Sequence, residues 1–236
     1  MIQGLTAGSR VKASGRPVVV QGKFGLALDY DTHGTDQIPS FDVPWAVRLT
    51  GGSGILEGLT SGPIAVLGTW DGGGIKVEQV TASEEFEIRR ESRSNTTPLD
   101  HAPPAVSPAF ITAVNELKKS GLLATSSSFN SPPHRYLGML CVYDVATAQR
   151  EIGHKVPIEN LQFIQCDWTA GQLMTARAIH EELSDDILCG FGETIVPHGQ
   201  PRILLDVKYI PPELAVSLNT LPTGLLSAAP HISLAN

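Results

Sequence analysis

Residues 62–80, from Gly62-Pro63-Ile64-Ala65 to Glu78-Gln79-Val80, constrain the fold more than any other stretch. Asp71-Gly72-Gly73-Gly74 lies between two runs rich in β-branched and apolar residues, and its glycines supply the positive φ angles that a tight hairpin turn requires. On the first run Ile64, Val66, Gly68 and Trp70 share one face, and Ala65, Leu67 and Thr69 share the other. Both faces are nearly apolar, so this strand is either central in a sheet or wrapped around a closed core.

Upstream, Arg16 to Leu28 reads as one long strand interrupted by glycines, with Val18, Val20, Gly22, Phe24 and Leu26 on a common face and a bulge or sharp coil at the glycines. Pro44 to Leu49 reads as the next strand, with Trp45, Val47 and Leu49 pointing inward and Ala46 and Arg48 outward. Ile55 to Leu59 follows the glycine-rich turn at 50–54, and with the hairpin this makes five strands in a short span. Val18-Val19-Val20-Gln21-Gly22, Trp45-Ala46-Val47-Arg48-Leu49, Gly62 to Trp70 and Ile75 to Val80 together resemble an oligonucleotide/oligosaccharide-binding barrel, the OB-fold, over residues 14–82. The resemblance implies a small antiparallel barrel that contacts single-stranded nucleic acid or a protein. Beyond Arg16 at the entry, only Lys23, Arg48 and Lys76 bring positive charge to these strands, which counts against a polyanionic ligand.

The charge balance agrees, for the chain carries 17 Lys and Arg against 24 Asp and Glu, and neither half is basic. Charged residues make up only 17% of the chain, while 23 glycines and 17 prolines favour many turns and β-rich structure. The start lacks the charged and apolar regions of a secretory signal, and no apolar run approaches the ~20 residues of a membrane span. A cytoplasmic protein without membrane attachment is expected. Cys141, Cys166 and Cys189 form no CxxC pair and lie in apolar runs, so they are expected to be buried, reduced thiols.

Composition changes abruptly at 83–106, where a charged run containing Arg89 and Arg90 passes into a Ser/Thr/Pro-rich linker. Beyond it, residues 107–236 read as a mixed α+β domain. Ser107-Pro108 opens a helix with a hydroxyl cap and a proline in the first turn, Phe110, Val114 and Leu117 form its apolar stripe, and Gly121 ends it. A Ser/Asn/Pro loop is expected at 125–133, then strands at 136–143, 161–166, 187–191 and 203–209. Thr169 caps a second helix with Leu173, Ala176, Ile179 and Leu183 on one side. The tail from Pro211 contains one formally charged residue, Glu213, and recurrent leucines. It is expected to pack on its own domain or to dock on another subunit.

Motifs that would declare a chemistry are incomplete. His180-Glu181-Glu182-Leu183-Ser184 has serine where a zinc helix needs its second histidine. Asp29, Asp31, His33, Gly34 and Asp36 begin like a calcium loop, but the twelfth position is Ser40 in place of a bidentate glutamate. Gly190-Phe191-Gly192 has Ile195 where a dinucleotide fingerprint needs glycine. The sequence therefore points to no cofactor and no metal.

The expected organisation is α+β overall, with an OB-like barrel at 14–82, a polar linker at 83–106 and a mixed domain at 107–236. The expected function is non-catalytic binding or assembly, through a groove bounded by the 29–43 loop and the 70–74 turn. Tyr30, Arg48, Trp70, Lys76, Arg89 and Arg90 are its candidate contacts, with Trp70 beside the turn as the exposed aromatic. A protein partner or single-stranded nucleic acid would occupy it, and self-association would run through the apolar tail. The alternative is an enzyme whose site lies in the C-terminal part or between domains, using His134, His154, His180 or a cysteine.

Overall fold

The computed structural model describes residues 1–28, 40–51, 62–83, 107–131, 134–158, 161–195 and 200–235. It is a mixed α+β chain whose N-terminal portion is a six-stranded sheet. β1 (Arg10–Val20), β2 (Lys23–Ala27), β3 (Ala46–Thr50), β4 (Ile64–Trp70) and β5 (Gly74–Ala82) form a closed hydrogen-bonded ring. Around it β1 pairs with β2, β2 with β3, β5 with β4 and β4 again with β1, all antiparallel, while β3 and β5 run parallel.

The hairpin at 62–80 forms as the sequence dictates. Ile64, Val66, Gly68 and Trp70 alternate inward along β4, and Asp71 Oδ1 accepts the N–H groups of Gly73 at 3.0 Å and Gly74 at 2.7 Å across the turn. The long strand expected over 16–28 is instead two strands. Gln21 and Gly22 both have positive φ, 52° and 75°, which makes them the central residues of a two-residue hairpin turn where a bulge was expected. The turn reverses the chain, so Val18 and Val20 face outward while Leu26 lies in the ring's interior with Val47, Leu49, Ile75 and Trp70. The strand expected at Ile55–Leu59, the calcium-like loop up to Pro39 and the linker from Glu84 to Val106 lie outside the described residues.

The remaining elements are α1 (Pro108–Lys119), β6 (Leu123–Ser131), β7 (His134–Val142), α2 (Val145–Ile152), β8 (Leu161–Gln165), α3 (Ala170–Glu182), β9 (Leu188–Ile195), β10 (Pro201–Val207), α4 (Pro212–Thr220), β11 (Leu226–Pro230) and β12 (Ile232–Leu234). They build two three-stranded sheets, β6-β7-β8 and β11-β10-β9. α1 ends at Gly121, whose φ of 71° closes the helix, but Ser107 makes no side-chain cap bond. α3 opens with a full capping box between Thr169 and Gln172 and buries Leu173, Ala176 and Ile179. The expected loop at 125–133 is largely strand β6, held by its antiparallel ladder with β7 against the local preference of its serines.

The two ends of the chain cross over. β12 pairs with β1 through Lys12 and Ser233, and Ile232 is buried in the ring's core. At the other end Leu5 N–H donates to Ile210 C=O at 2.6 Å, and Asn219 bonds both N–H and C=O of Ile2. Part of the apolar tail packs within its own chain, where Leu214, Leu225 and Leu226 join the core of the β9–β10–β11 layer, while Val216 on α4 is exposed. No helix among the described residues is long and apolar enough to cross a membrane.

Candidate functional site

The outer face of the ring between β1, β2 and β3 carries a shaped surface. Register places Val18 and Val20 on β1, Lys23, Gly25 and Ala27 on β2, and Ala46 and Arg48 on β3 side by side. Residues 41–45 fold over half of this face, where Phe41, Val43 and Trp45 pack against Val18, Ala27 and Ala46. Gly25 is required here, because any side chain at that position would collide with the Phe41 ring.

The other half stays open as a cleft of about 260 Å³ lined by Gln21, Lys23, Phe41, Asp42, Arg48 and Gly73, among others. It is thus flanked by the β1–β2 turn on one side and the β4–β5 turn on the other. Arg48 reaches across to the second turn, where Nη2 donates to Asp71 Oδ2 at 3.2 Å. Burial by itself would raise the Asp71 pKa. The Gly73 and Gly74 N–H groups and the Arg48 guanidinium outweigh it and hold the carboxyl below its ordinary value.

The cap over the face is fastened from the C-terminal portion. Lys208, 4% exposed at the end of β10, donates through Nζ to the carbonyls of Phe41 at 3.1 Å and Val43 at 3.2 Å. Cys189 on β9 donates its thiol to Pro44 C=O at 3.4 Å. Burial pushes the Lys208 pKa down, against the opposing pull of Asp186, Cys189 and Asp42.

The expected contact residues divide sharply. Arg48 lies in the cleft. Lys76 is exposed on β5, opposite Thr50 and Thr69, and is not among the cleft residues. Trp70 does not offer an open aromatic face: it is 3% exposed, with its ring centroid 5.1 Å from that of Tyr209. Its position on the inward-facing register of β4 outweighs its nearness to the turn. Tyr30, Arg89 and Arg90 lie outside the described residues. Gln21, Phe41 and Asp42 were not singled out from sequence; the Gln21-Gly22 pair between two apolar runs was the signal for the turn, and nothing local marked Phe41.

Among the described side chains, His154, His180 and the cysteines do not gather into one constellation; the side chain of His134 lies outside them. His154 Nδ1 bonds Arg150 C=O at 3.2 Å on its own helix. His180 Nδ1 bonds Arg177 C=O, and its ring stacks on Phe191 at 4.1 Å. The HExxH-like run spans the end of α3, so Ser184 lies beyond the helix, and Gly190-Phe191-Gly192 lies inside β9. Cys141 and Cys166 are buried neighbours, each acting on the other so that the Cys141 pKa is raised and that of Cys166 lowered, and Cys166 donates its thiol to Trp168 C=O at 3.4 Å. Beside them Arg177 grips Glu193 through two bonds, Nε to Oε2 at 3.0 Å and Nη2 to Oε1 at 2.7 Å, and also donates to Ala124 C=O. Among the described residues no three His, Cys, Asp or Glu side chains converge as a metal site would require.

Compared with protein-family models, curated proteins and solved structures, the chain matches none.

Proposed function

We propose that the N-terminal ring is an OB-type barrel and that the protein is a binding or assembly module whose cleft takes an extended segment of a protein partner. The ring order β1-β2-β3-β5-β4, returning to β1 with β3 and β5 parallel, supports that reading. OB modules bind on the β2–β3 face between the first and last hairpin loops. The observation that carries the reading is the position of the cleft on that same face, between the Gln21-Gly22 and Asp71–Gly73 turns.

The cleft's chemistry favours a polypeptide over a nucleic acid strand. Arg48 is already balanced by Asp71, and Asp42 lies in the same lining beside Lys23, so little positive charge is left to neutralise successive phosphates. Base stacking needs open aromatic faces, whereas among the described residues Trp70 is in the core and Phe41 packs its ring on Gly25.

The test has two arms. Labelled mixed-sequence single-stranded DNA and RNA are titrated at low and moderate salt, with no saturable anisotropy change expected. A photo-crosslinking residue is then placed at Lys23 and, as a control, at Glu78 on the exposed face of β5. A discrete protein captured from the native extract at position 23, absent at 78 and lost on Arg48→Glu, supports the proposal. Saturable oligonucleotide binding that weakens with salt overturns the choice of ligand.

A further inference from the structure

Strand β8 is the outer strand of the sheet β6-β7-β8, and among the described strands it pairs with β7 alone. Along a strand, alternate residues turn their N–H and C=O toward one neighbour and then away from it. Cys166 N–H donates to Val142 C=O at 2.8 Å, so Gln162, Ile164 and Cys166 address β7. The backbone groups of Leu161, Phe163 and Gln165 therefore point to the open edge.

Two of these outward groups are already used. Leu161 N–H donates to Ile158 C=O at 2.9 Å. Gln165 C=O accepts Nε2 of Gln200 at 3.0 Å, and Oε1 of the same amide accepts the N–H of Asp167 at 2.8 Å. The Gln200 side chain thus takes, at one end of β8, the place a further strand's peptide group would occupy. Among the described residues, Leu161 C=O, Phe163 N–H, Phe163 C=O and Gln165 N–H are left without a partner.

These four groups complement themselves. We propose that two copies of the chain pair edge to edge through β8, antiparallel about a two-fold axis at Phe163, joining two three-stranded sheets into one of six strands. The two Phe163 residues exchange N–H···O=C bonds, and Gln165 N–H of each copy meets Leu161 C=O of the other. The two groups this arrangement leaves unused, Leu161 N–H and Gln165 C=O, are the two already satisfied within each chain. Beyond the Gln200 amide at one end, Leu161-Gln162-Phe163-Ile164-Gln165 carries no charge and no proline to keep another edge away, and four of its five residues are half-buried. Two chains of net charge −7 meet here on an uncharged segment.

Sedimentation velocity of the full chain from low to high micromolar concentration tests the pairing. A reversible monomer–dimer equilibrium is expected. Phe163→Pro removes an outward N–H that β7 does not use, and at least about tenfold weaker dimerisation is expected with an unchanged circular dichroism spectrum. Because Phe163 also packs against α1 and α2, Gln162→Lys is the second variant. It keeps every bond to β7 and places a lysine on the edge, with the same loss expected. A monomer at every concentration, or a dimer unaffected by Gln162→Lys in the folded protein, overturns the proposal.

Discussion

The ammonium group of Lys208 donates to the carbonyl of Phe41 at 3.1 Å, tying the end of β10 to the segment that covers the ring's outer face. The two residues are 167 positions apart in the chain, and the lysine is almost wholly buried. A buried ammonium is costly unless its protons are bonded, and here the carbonyls of Phe41 and Val43 accept two of them.

Lys208→Met leaves those carbonyls without their donor and is expected to cost about 1–3 kcal/mol in denaturant unfolding. The pH dependence has a definite sign. Burial lowers the native pKa below the ~10.4 of a free lysine, so between the two values the unfolded chain holds more protons and stability rises with pH. The deficit of Lys208→Met relative to the wild type should therefore widen toward alkaline pH; a deficit that narrows would contradict this account.

Gly25→Ala puts a methyl group where the Phe41 ring lies, and a loss of about 1–3 kcal/mol is expected. Phe41→Ala should absorb the part of that loss that comes from the ring, while the close approach to Val47 C=O at 2.8 Å stays, so a double-mutant cycle read by urea denaturation is expected to be partly non-additive. Additive effects would mean that the ring does not occupy the face in solution.

Asp71→Asn keeps an oxygen for the Gly73 and Gly74 N–H groups but removes the charge paired with Arg48. Because both side chains are more than a third exposed, the expected loss at neutral pH is below about 1 kcal/mol after screening by solvent. The Asp71 pKa is depressed in the folded protein, so its contribution is present above the ordinary carboxylate range and disappears as pH falls through the native value. Wild type and Asp71→Asn should converge in acid.

Arg177 and Glu193 join α3 to β9, and the extra bond to Ala124 C=O extends the link to β6. Glu193→Gln should cost about 2–3 kcal/mol, since a charge-assisted bidentate pair becomes one neutral amide facing a half-buried guanidinium. Burial would raise the Glu193 pKa, but Arg177 and Thr125 outweigh it and lower it, so this contribution too is lost on acidification. Thermal denaturation across pH 3–7 checks the loss, as a rough window set by the ~4.3 of a free glutamate.

Local chemistry made much of the fold legible. The Asp71–Gly74 turn, the alternation along β4, the proline-opened α1 and the Thr169 cap of α3 each depend on residues within one or two turns of chain, and each appears where the sequence places it. The Gln21-Gly22 turn was missed because a glycine between apolar runs reads equally as a bulge, and only the pairing of Val18 with Gly25 distinguishes the two. Strand β6 was missed because serine-rich segments favour loops until a neighbouring strand supplies the ladder.

Of the candidate site, the sequence determined Arg48 and the Asp71–Gly73 turn on one side of the cleft, since these follow from strand alternation and turn chemistry. Tertiary structure alone decided the rest. Trp70 became core because the closure of β1 onto β4 turned its face inward against Tyr209, Phe41 became a cap because Gly25 leaves room for its ring, and Lys208 became the clasp. These outcomes depend on contacts between residues far apart in the chain, and neither residue of such a pair carries a local mark of the other. The periodicity of a strand sets which side chains share a face, whereas the closure of the ring sets which face meets water.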